Sequence, residues 1–451
     1  MKQVFLIILL CTAIGASSCK KFLDAKPDKK LVIPSSIADL QALLDDNYRM
    51  NGSCSNLGEI AADNYYLPFS TWQSFDTWDR NAYIWLPEMY TAVPNDWSIT
   101  YDMIYYANVV LENIEKVPHG IQELDALNNA KGSALLFRAK SFLEAAFTWC
   151  KAYDSSTAMT DLGLPLRLSS DFNQPSVRSS LQNTYDQIVG DLLESIKILP
   201  VKPVNVMRPS KPAAYGLLAR VYLSMGEFYK SLLYSDSCLQ LFNTLLDYNT
   251  LDSNSGYPIS RFKEEDIMHS RMPNLHLNLA NSYALVDTVL YKSYAENDLR
   301  KTIFFRSNGD GTFRFKGSYD GTSNLFNGVA SDEMYLIRAE CLARAGKLPE
   351  ALTDLNTLLK NRLMSGTFIP VSADSREETI ELILNERRKE LIFRNLRWMD
   401  LKRLNKEGAN ITVTRILDNV KHVLTPNDNR YALPLPPDVI NLSGMQQNPG
   451  N

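Results

Sequence analysis

The sequence predicts a mainly α protein in which pairs of antiparallel helices form a scaffold that carries irregular and β-hairpin insertions. Apolar residues recur at helical spacing over about residues 97–245 and 332–403. Two of these helical segments superpose when one is shifted by 120 residues along the chain. Residues 63–96 and 250–330 lack helical periodicity and are predicted to be insertions, which commonly carry binding groups on a rigid frame.

The first predicted element is an export signal at residues 1–18. Lys2 gives it a positive start, residues 4–10 form an apolar run too short to span a bilayer, and residues 15–18 are small. Cys19 follows at once, which indicates a lipoprotein with Cys19 as the lipidated residue. Residues 19–451 would then form a single domain held at a membrane by the N-terminal lipid. The alternatives are an ordinary secretory signal with a chance cysteine, or a hydrophobic start to a cytosolic chain.

Helices follow along most of the chain. Ser36 can cap the first one, which places Leu40, Leu43 and Leu44 on one face. Many of the later amphipathic segments end at Gly or Pro, which stop a helix. These segments span about residues 97–116, 130–153, 180–199, 211–225, 228–242, 332–345, 348–362 and 376–394.

The two superposed segments each contain a helix that ends at a glycine and a second helix that returns after a short turn. Their spacing of small residues resembles that of tetratricopeptide units, in which small side chains let two helices approach closely. The alternative is two unrelated helical hairpins. The aligned pairs are Ala219 and Ala339, Gly226 and Gly346, and Ser231 and Ala351.

The first insertion is rich in aromatic residues: residues 65–101 hold eleven of them, and four of the six tryptophans lie between residues 72 and 97. An exposed indole beside polar side chains offers a sugar an apolar platform and orienting hydrogen bonds. The alternative is that these rings pack the loop onto the helices, as we expect for Trp97 and Tyr101. The predicted ligand-binding residues are Trp72, Trp78, Tyr66 and Trp85, with Asp76 and Asn81 as polar partners.

The second insertion is predicted to contain a β-hairpin, from residues 302–306 and 312–316 around an Asn-Gly-Asp-Gly turn. Tyr294 and Tyr319 are further candidates for ligand contact in this region. The turn also has calcium-like oxygen spacing, so a structural calcium is possible. A turn rich in Asn, Gly and Asp is the commoner cause, and the downstream Glu of a calcium loop is missing.

Composition excludes several functions. The net charge is −4 and no basic stripe appears, which argues against nucleic-acid binding. Beyond Cys19, the four cysteines are widely separated and form no CxxC pair, and the histidines do not pair with a carboxylate at helical spacing. The sequence therefore predicts no disulfide, no metal site and no catalytic residue.

The element ERRKELIFRNLRWMDLKR at residues 386–403 is similar to the ERRxELxFEGxRWxDLxR element of the SusD/RagB family of outer-membrane nutrient-binding lipoproteins. Arg394 and Asn395 replace its usual Glu-Gly. The charged residues of this element have the helical spacing of ion pairs, and we expect them and Trp398 to be structural. Residues 134–139, 163–166, 213–223, 433–437 and 447–450 also resemble the family.

This resemblance implies a protein without catalytic activity, lipid-anchored in the outer membrane and facing outside the cell. It would capture oligosaccharides, or peptides in some branches, and deliver them to a TonB-dependent outer-membrane transporter. The resemblance also implies a scaffold of helix pairs, a ligand face built from insertions and, in some members, calcium near the site.

Three alternatives to oligosaccharide capture stay open at this point. A peptide-binding member of the same family would use a groove with exposed backbone partners. A surface glycoside hydrolase would need two carboxylates about 5 to 10 Å apart on a rigid frame, and no hydrolase motif is recognisable. A purely structural adaptor would have no need for a cluster of tryptophans outside the repeat helices.

Overall fold

The computed structural model describes residues 34–91 and 93–450, and its architecture is mainly α, as the sequence predicts. The predictions for residues 1–18 and for Cys19 concern residues outside this range. Among the described residues, no helix is both long enough and apolar enough to cross a membrane.

The N-terminal region consists of short helices around one very short strand. Ser36 caps the first helix as predicted: its Oγ accepts from the Asp39 N–H at 3.1 Å, and the Asp39 carboxylate accepts from the Ser36 N–H at 3.1 Å. The elements are α1 Ile37–Leu44, α2 Asn47–Met50, α3 Leu57–Ala61, β1 Tyr65–Tyr66, α4 Phe69–Gln73 and α5 Thr77–Tyr83.

Long helices form the first part of the scaffold. The longest of them, α7, is buried over most of its length because α6 and α8 pack along it and α9 packs on α8. The elements are α6 Asp96–Asn113, α7 Leu124–Trp149, β2 Leu162–Pro165, β3 Arg178–Ser180, α8 Leu181–Ile198, α9 Lys211–Met225 and α10 Phe228–Leu241.

The second insertion and the C-terminal half complete the chain. Strands pair only in two-stranded antiparallel ladders within the described residues: β1 with β5, β2 with β3, β4 with β8, β6 with β7 and β9 with β10. The elements are β4 Asp266–Met268, β5 Leu285–Val286, α11 Thr288–Lys292, α12 Arg300–Ile303, β6 Phe305–Ser307, β7 Phe313–Phe315, β8 Val329–Ala330, α13 Ser331–Arg344, α14 Leu348–Lys360, α15 Arg376–Glu390, α16 Arg397–Lys406, β9 Val413–Leu417, β10 Val420–Leu424 and α17 Pro437–Ser443.

The predicted helix-pair repeat is present in α9–α10 and α13–α14. Gly226 and Gly346 follow the first helix of each pair with φ of 76° and 78°, a conformation that glycine adopts without strain. The next N–H bonds back identically, from Glu227 to the Tyr222 carbonyl and from Lys347 to the Leu342 carbonyl, both at 2.9 Å. The two turns are therefore the same structure, 120 positions apart in the chain.

The predicted hairpin is present as β6 and β7, but it is shorter than expected because residues 300–303 are helical. Asp310 closes its turn by accepting hydrogen bonds from Thr312, 3.0 Å to the N–H and 2.6 Å to Oγ1. These bonds lower the pKa of the Asp310 carboxyl. Turn closure thus accounts for the oxygen spacing of this segment, as expected of a turn rich in Asn, Gly and Asp.

The four cysteines of the described chain are buried and unpaired with one another: Cys54, Cys150, Cys238 and Cys341. They lie at different places in the core, before α3, after α7, in α10 and in α13. Burial raises the pKa of the Cys150 thiol to about 11 and that of the Cys341 thiol to about 12. These thiols behave as small apolar side chains of the core.

Candidate functional site

We use the name aromatic face for five rings carried by neighbouring segments of the two insertions: Phe69, Trp72, Phe75, Trp78 and Tyr283. It is built by the short helices α4 and α5 together with the segment that leads into β5. The Phe75 ring meets the Tyr283 ring edge-to-face at 5.1 Å, which joins the first insertion to the second. Phe75 is buried, whereas Trp72 and Trp78 are half-buried and Tyr283 is exposed.

Trp78 differs from the other rings of this face in its contacts. Within the described part of the chain, its indole N–H has no hydrogen-bond partner and its ring stacks on no other aromatic or cationic group. The indole is nevertheless half-buried, so its position is supported by the protein while part of its surface meets solvent. A half-supported indole with a free N–H is well suited to receive a ligand.

Trp72 is held in place more firmly than Trp78. Its Nε1 donates to the Arg80 carbonyl at 3.1 Å, and its ring stacks on Phe69 with a centroid separation of 6.0 Å. The Arg80 guanidinium lies 5.9 Å from the same ring. Trp72 can therefore offer a ligand its remaining ring surface, but it has no free N–H.

The two predicted polar partners differ. Asp76 is exposed at the start of α5, and its carboxylate makes no hydrogen bond or ion pair with other described residues. Asn81 uses its amide nitrogen internally, donating to the Pro87 carbonyl at 2.9 Å. Only Asp76 is thus free to bind a ligand hydroxyl with its whole side chain.

A buried charged triad, His276 with Asp79 and Asp96, lies beneath the aromatic face. His276 contacts Asp79 through Nδ1 at 2.6 Å and Asp96 through Nε2 at 2.9 Å, and all three side chains are buried. Burial alone lowers the pKa of His276, but the charge of Asp96 and the hydrogen bonds to both carboxylates outweigh it and raise the pKa to about 9. The triad ties the second insertion to α5, directly beside Trp78.

Trp85 is buried, and the prediction that it contacts ligand is wrong for this structure. Only 1% of the side chain is exposed, and its Nε1 donates to the Ala61 carbonyl at 3.0 Å. Arg415 lies against the same core cluster and donates to the Tyr65 carbonyl at 2.6 Å. Trp85 packs the first insertion onto the helical scaffold. This is the alternative given above for the aromatic residues 65–101.

Tyr294 and Tyr319 are also buried, each with 2% of its surface exposed, so neither offers a ring to a ligand. Tyr294 donates its hydroxyl to the Lys389 carbonyl at 2.8 Å. Tyr319 donates to Glu265 at 2.6 Å. Both predictions are corrected: these tyrosines belong to the interface between the second insertion and the C-terminal helices.

Tyr319 belongs to a buried ionic cluster that sequence reasoning missed. Oxygens of Glu265, Asp332 and Glu390 lie within 4.8 Å of one another, close enough to hold a metal ion. Arg362 bonds to Glu265 and Glu390 at 2.7 Å each, and Arg394 lies 3.2 Å from Asp332. Burial raises the pKa of Glu265 to about 7. Because the arginines supply the positive charge, the arrangement is that of a structural ion network.

Tyr66 is half-buried on β1, where it pairs with Leu285 of β5. It lines a groove of about 860 Å³ that contains none of the tryptophans. A different cavity, of about 540 Å³, is lined by Tyr105 and Phe172, whose rings stack at 4.8 Å. No hydrophobic periodicity marks Phe172 in the sequence, because it lies in an irregular segment after β2.

The element at residues 386–403 is structural, as predicted. Arg387 and Arg403 bond to Asp400 at 2.9 and 2.8 Å. Trp398 is buried against Gly58, where an added Cβ would lie 3.3 Å from the Trp398 side chain. Asn395 has a φ of 59° and its N–H donates to Glu59 at 2.9 Å, so this departure from the family pattern still makes a defined turn.

Two family models match the chain. One is described as "Starch-binding associating with outer membrane" and matches residues 21–223, and the other is described as "SusD family" and matches residues 332–450. A SusD-like protein of Formosa agariphila is 24% identical, with 90% of this chain and 92% of that protein covered.

Solved structures share the fold. A structure titled as a putative sugar binding protein from Bacteroides vulgatus superposes with a TM-score of 0.75 at 20% identity, covering 93% of this chain and 99% of that one. A SusD superfamily protein from Bacteroides thetaiotaomicron has a TM-score of 0.75 at 21% identity, covering 92% and 100%. A structure titled as a laminarin binding SusD-like protein has a TM-score of 0.64 at 18% identity, covering 92% and 98%. Because the two family models together match most of the chain, over residues 21–223 and 332–450, the chain belongs to the SusD/RagB family.

Proposed function

We propose that this chain is a lipoprotein of the outer-membrane surface that binds oligosaccharides on its aromatic face and delivers them to a TonB-dependent transporter. The observation that carries the proposal is the state of Trp78, a supported indole with a free N–H and no stacking partner among the described residues. Asp76, two positions before it, supplies an exposed carboxylate without a partner.

The physical basis is the two-sided character of a sugar ring. One face of the ring presents C–H groups that pack on an indole, while the edge presents hydroxyls that need hydrogen-bond partners. Trp78 and the open surface of Trp72 supply the first kind of contact. The Trp78 N–H and the Asp76 carboxylate supply the second, the first as a donor and the second as an acceptor for different hydroxyls.

The comparisons support the ligand class and the location. One matching family model is named for starch binding at the outer membrane, and one neighbour of known structure is named for laminarin binding. Lipidation at Cys19 would hold the domain at that membrane, and membership of the family supports delivery to a transporter. These two steps belong to the proposal.

The carboxylates nearest the aromatic face do not suit hydrolysis, so we propose binding without reaction. Glycoside hydrolysis needs an acid and a base or nucleophile that both reach the sugar. Asp79 and Asp96 are buried beneath the face and are occupied by His276. Asp76 reaches solvent, which allows it to orient a sugar hydroxyl.

Calorimetric titration with maltooligosaccharides and laminarioligosaccharides tests the proposal. We expect one of the two series to bind, and Trp78→Ala to weaken that binding by about two- to tenfold, because an aromatic stacking contact contributes about 0.5 to 1.5 kcal/mol. Trp72→Ala should have a smaller effect, since part of that ring is already covered.

Trp85→Phe is the matched control, because it alters a buried tryptophan of the same insertion. We expect it to lower stability without changing glycan affinity. Binding that survives both Trp72→Ala and Trp78→Ala would remove the proposed site. Release of reducing sugar from either series would argue for an enzyme instead.

A further inference from the structure

The groove of about 860 Å³ lies on a part of the molecule separate from the tryptophans of the aromatic face. One wall is helix α15, and the opposite wall is the chain from Ile411 through Thr414 in β9, with Tyr66 of β1 at one end. A volume of this size is within the range of ligand-binding clefts. The groove has no assigned role in the family comparisons or in the proposed function.

The wall formed by β9 is an unpaired strand edge. β9 and β10 are joined by Asp418 and Asn419, both with positive φ, which is a two-residue hairpin turn. Leu417 and Val420 therefore form the first hydrogen-bonded pair, and Thr414 lies in a non-hydrogen-bonded pair with Val423. The backbone N–H and carbonyl of Thr414 point away from β10, on the side of β9 that has no strand partner.

These outward groups have no partner in the described chain. No hydrogen bond to the N–H or carbonyl of Thr412 or Thr414 is made by residues 34–91 or 93–450 outside the β9–β10 ladder. An open strand edge that borders a groove can accept a further strand, because the added chain satisfies these donors and acceptors in register.

The helix wall selects the charge of an occupant. Glu377 and Glu381 are exposed on one face of α15, four residues apart, and neither makes an ion pair with another described residue. Arg388 on the same helix is compensated by Asp63 at 3.2 Å and by Asp287 at 3.7 Å. The open charge of the wall is therefore negative and favours a cationic occupant.

The groove also offers apolar contacts. Ile380 and Leu384 of α15 are half-buried and line the groove beside Glu377 and Glu381. Alternating apolar and basic side chains on an extended peptide would match these features.

We propose that this groove binds an extended basic peptide segment of a protein partner, which adds to the free edge of β9 and faces Glu377 and Glu381 of α15. The inference is independent of the aromatic face, because none of its rings lines the groove. A sugar chain lacks the alternating donors and acceptors of a peptide backbone, so the strand edge discriminates between the two.

Fluorescence anisotropy of the full-length protein with a labelled acetyl-KVKVKVK-amide peptide tests the proposal. We expect binding that weakens as salt is raised from 50 to 500 mM. Thr414→Pro should weaken it at least tenfold, because proline removes the outward N–H while leaving the bonds to β10 in place. The same peptide with alternate backbone nitrogens methylated should bind the parent protein equally poorly.

Lys421→Pro is the matched control, since Lys421 pairs with Ile416 and its N–H points outward from the opposite edge of the hairpin. It should retain binding within about twofold of the parent. The double variant Glu377→Gln with Glu381→Gln should bind more weakly than the parent and lose most of the salt dependence.

Other outcomes overturn the proposal. Equal binding of the methylated and unmethylated peptides would show charge attraction without strand addition. Displacement of the labelled peptide by an oligosaccharide would assign the groove to glycans. A dimer of the protein in sedimentation velocity that Thr414→Pro disperses would make a second copy of the chain the occupant of the edge.

Discussion

The helix-pair scaffold and the aromatic face are held together in different ways. In α9–α10 and α13–α14, the contacts join residues that are close in sequence, such as Ser231 Oγ to the Ala219 carbonyl at 2.8 Å, twelve positions apart. Beneath the aromatic face, His276 and Asp79 are 197 positions apart. Local pattern builds each helix pair of the first region, whereas the second region depends on buried charges that only the complete fold brings together.

The difference separates stability from binding. The repeat turns can be altered without moving Trp78, because they lie on the scaffold and carry no ligand group. The triad around His276 is part of the core and also fixes the segment beside Trp78, so altering it affects both properties. The following predictions test this separation, beginning with the largest expected effect.

Removing the charge that joins the two helix pairs should have the largest effect. Arg220 of α9 bonds to Glu333 of α13 at 2.9 and 2.6 Å, and both side chains are buried. Arg220→Met leaves Glu333 buried without its partner, so we expect the free energy of unfolding to fall by about 3 to 5 kcal/mol. Urea denaturation followed by circular dichroism measures this change.

Arg208→Met is the matched control for Arg220→Met, because Arg208 pairs with Asp45 near the surface at 2.6 Å. We expect that change to lower stability by less than about 1 kcal/mol. Equal losses for the two variants would mean that burial of the Arg220–Glu333 pair contributes nothing to the scaffold.

The His276 triad should make the protein less stable as the pH becomes alkaline. The pKa of His276 rises from 6.5 to about 9 on folding, so its contribution is complete below pH 6.5 and is lost as the pH rises through 9. A shift of this size corresponds to about 3 kcal/mol. Unfolding free energies measured at pH 6, 8 and 9.5 should fall in the parent protein and fall much less in His276→Gln.

Burial also raises the pKa values of Glu59 and Glu265, each to about 7, and their contributions decline from about pH 4.5 to 7. This decline should persist in His276→Gln, which makes it an internal control. A parent protein equally stable at pH 6 and pH 9.5 would contradict the role of the triad.

The repeat turns should give the smallest effect. Gly226→Ala and Gly346→Ala place a Cβ in open space but at a positive φ, so each should cost about 1 kcal/mol of stability. Thermal denaturation should show similar losses for the two single variants and an additive loss for the double variant. Glycan affinity should be unchanged, and a loss of affinity would contradict the separation of scaffold from aromatic face.

The same contrast explains what could be predicted from the sequence. Helix periodicity, the cap at Ser36 and the glycine turns at Gly226 and Gly346 are local signals, and each corresponds to the observed structure. Residue type at single positions of the insertions gave less information. Trp78 and Trp85 have similar aromatic and polar neighbours in the sequence, yet one is half-buried and the other is part of the core.

Long-range packing decides these cases. Trp85 is buried because Ala61, which precedes it in the sequence, and Arg415, which follows it much later, both pack near its ring. Tyr319 is buried because its hydroxyl donates hydrogen bonds to the carboxylates of Glu265 and Asp332 inside the ionic cluster. The partners of Trp85 and Tyr319 are far from them in the sequence, and no periodic pattern links them. The aromatic composition of the insertions therefore indicated the region of the site but not each residue in it.

The buried thiols allow local opening of the fold to be measured at native positions. Cys54, Cys150, Cys238 and Cys341 lie at four separate points of the core, and each is sealed from solvent. An alkylating reagent can modify each one only when the surrounding element opens, so mass-spectrometric labelling rates would rank the elements by their opening frequency. The order in which these elements open can therefore be measured on the native cysteines, without introducing a new one.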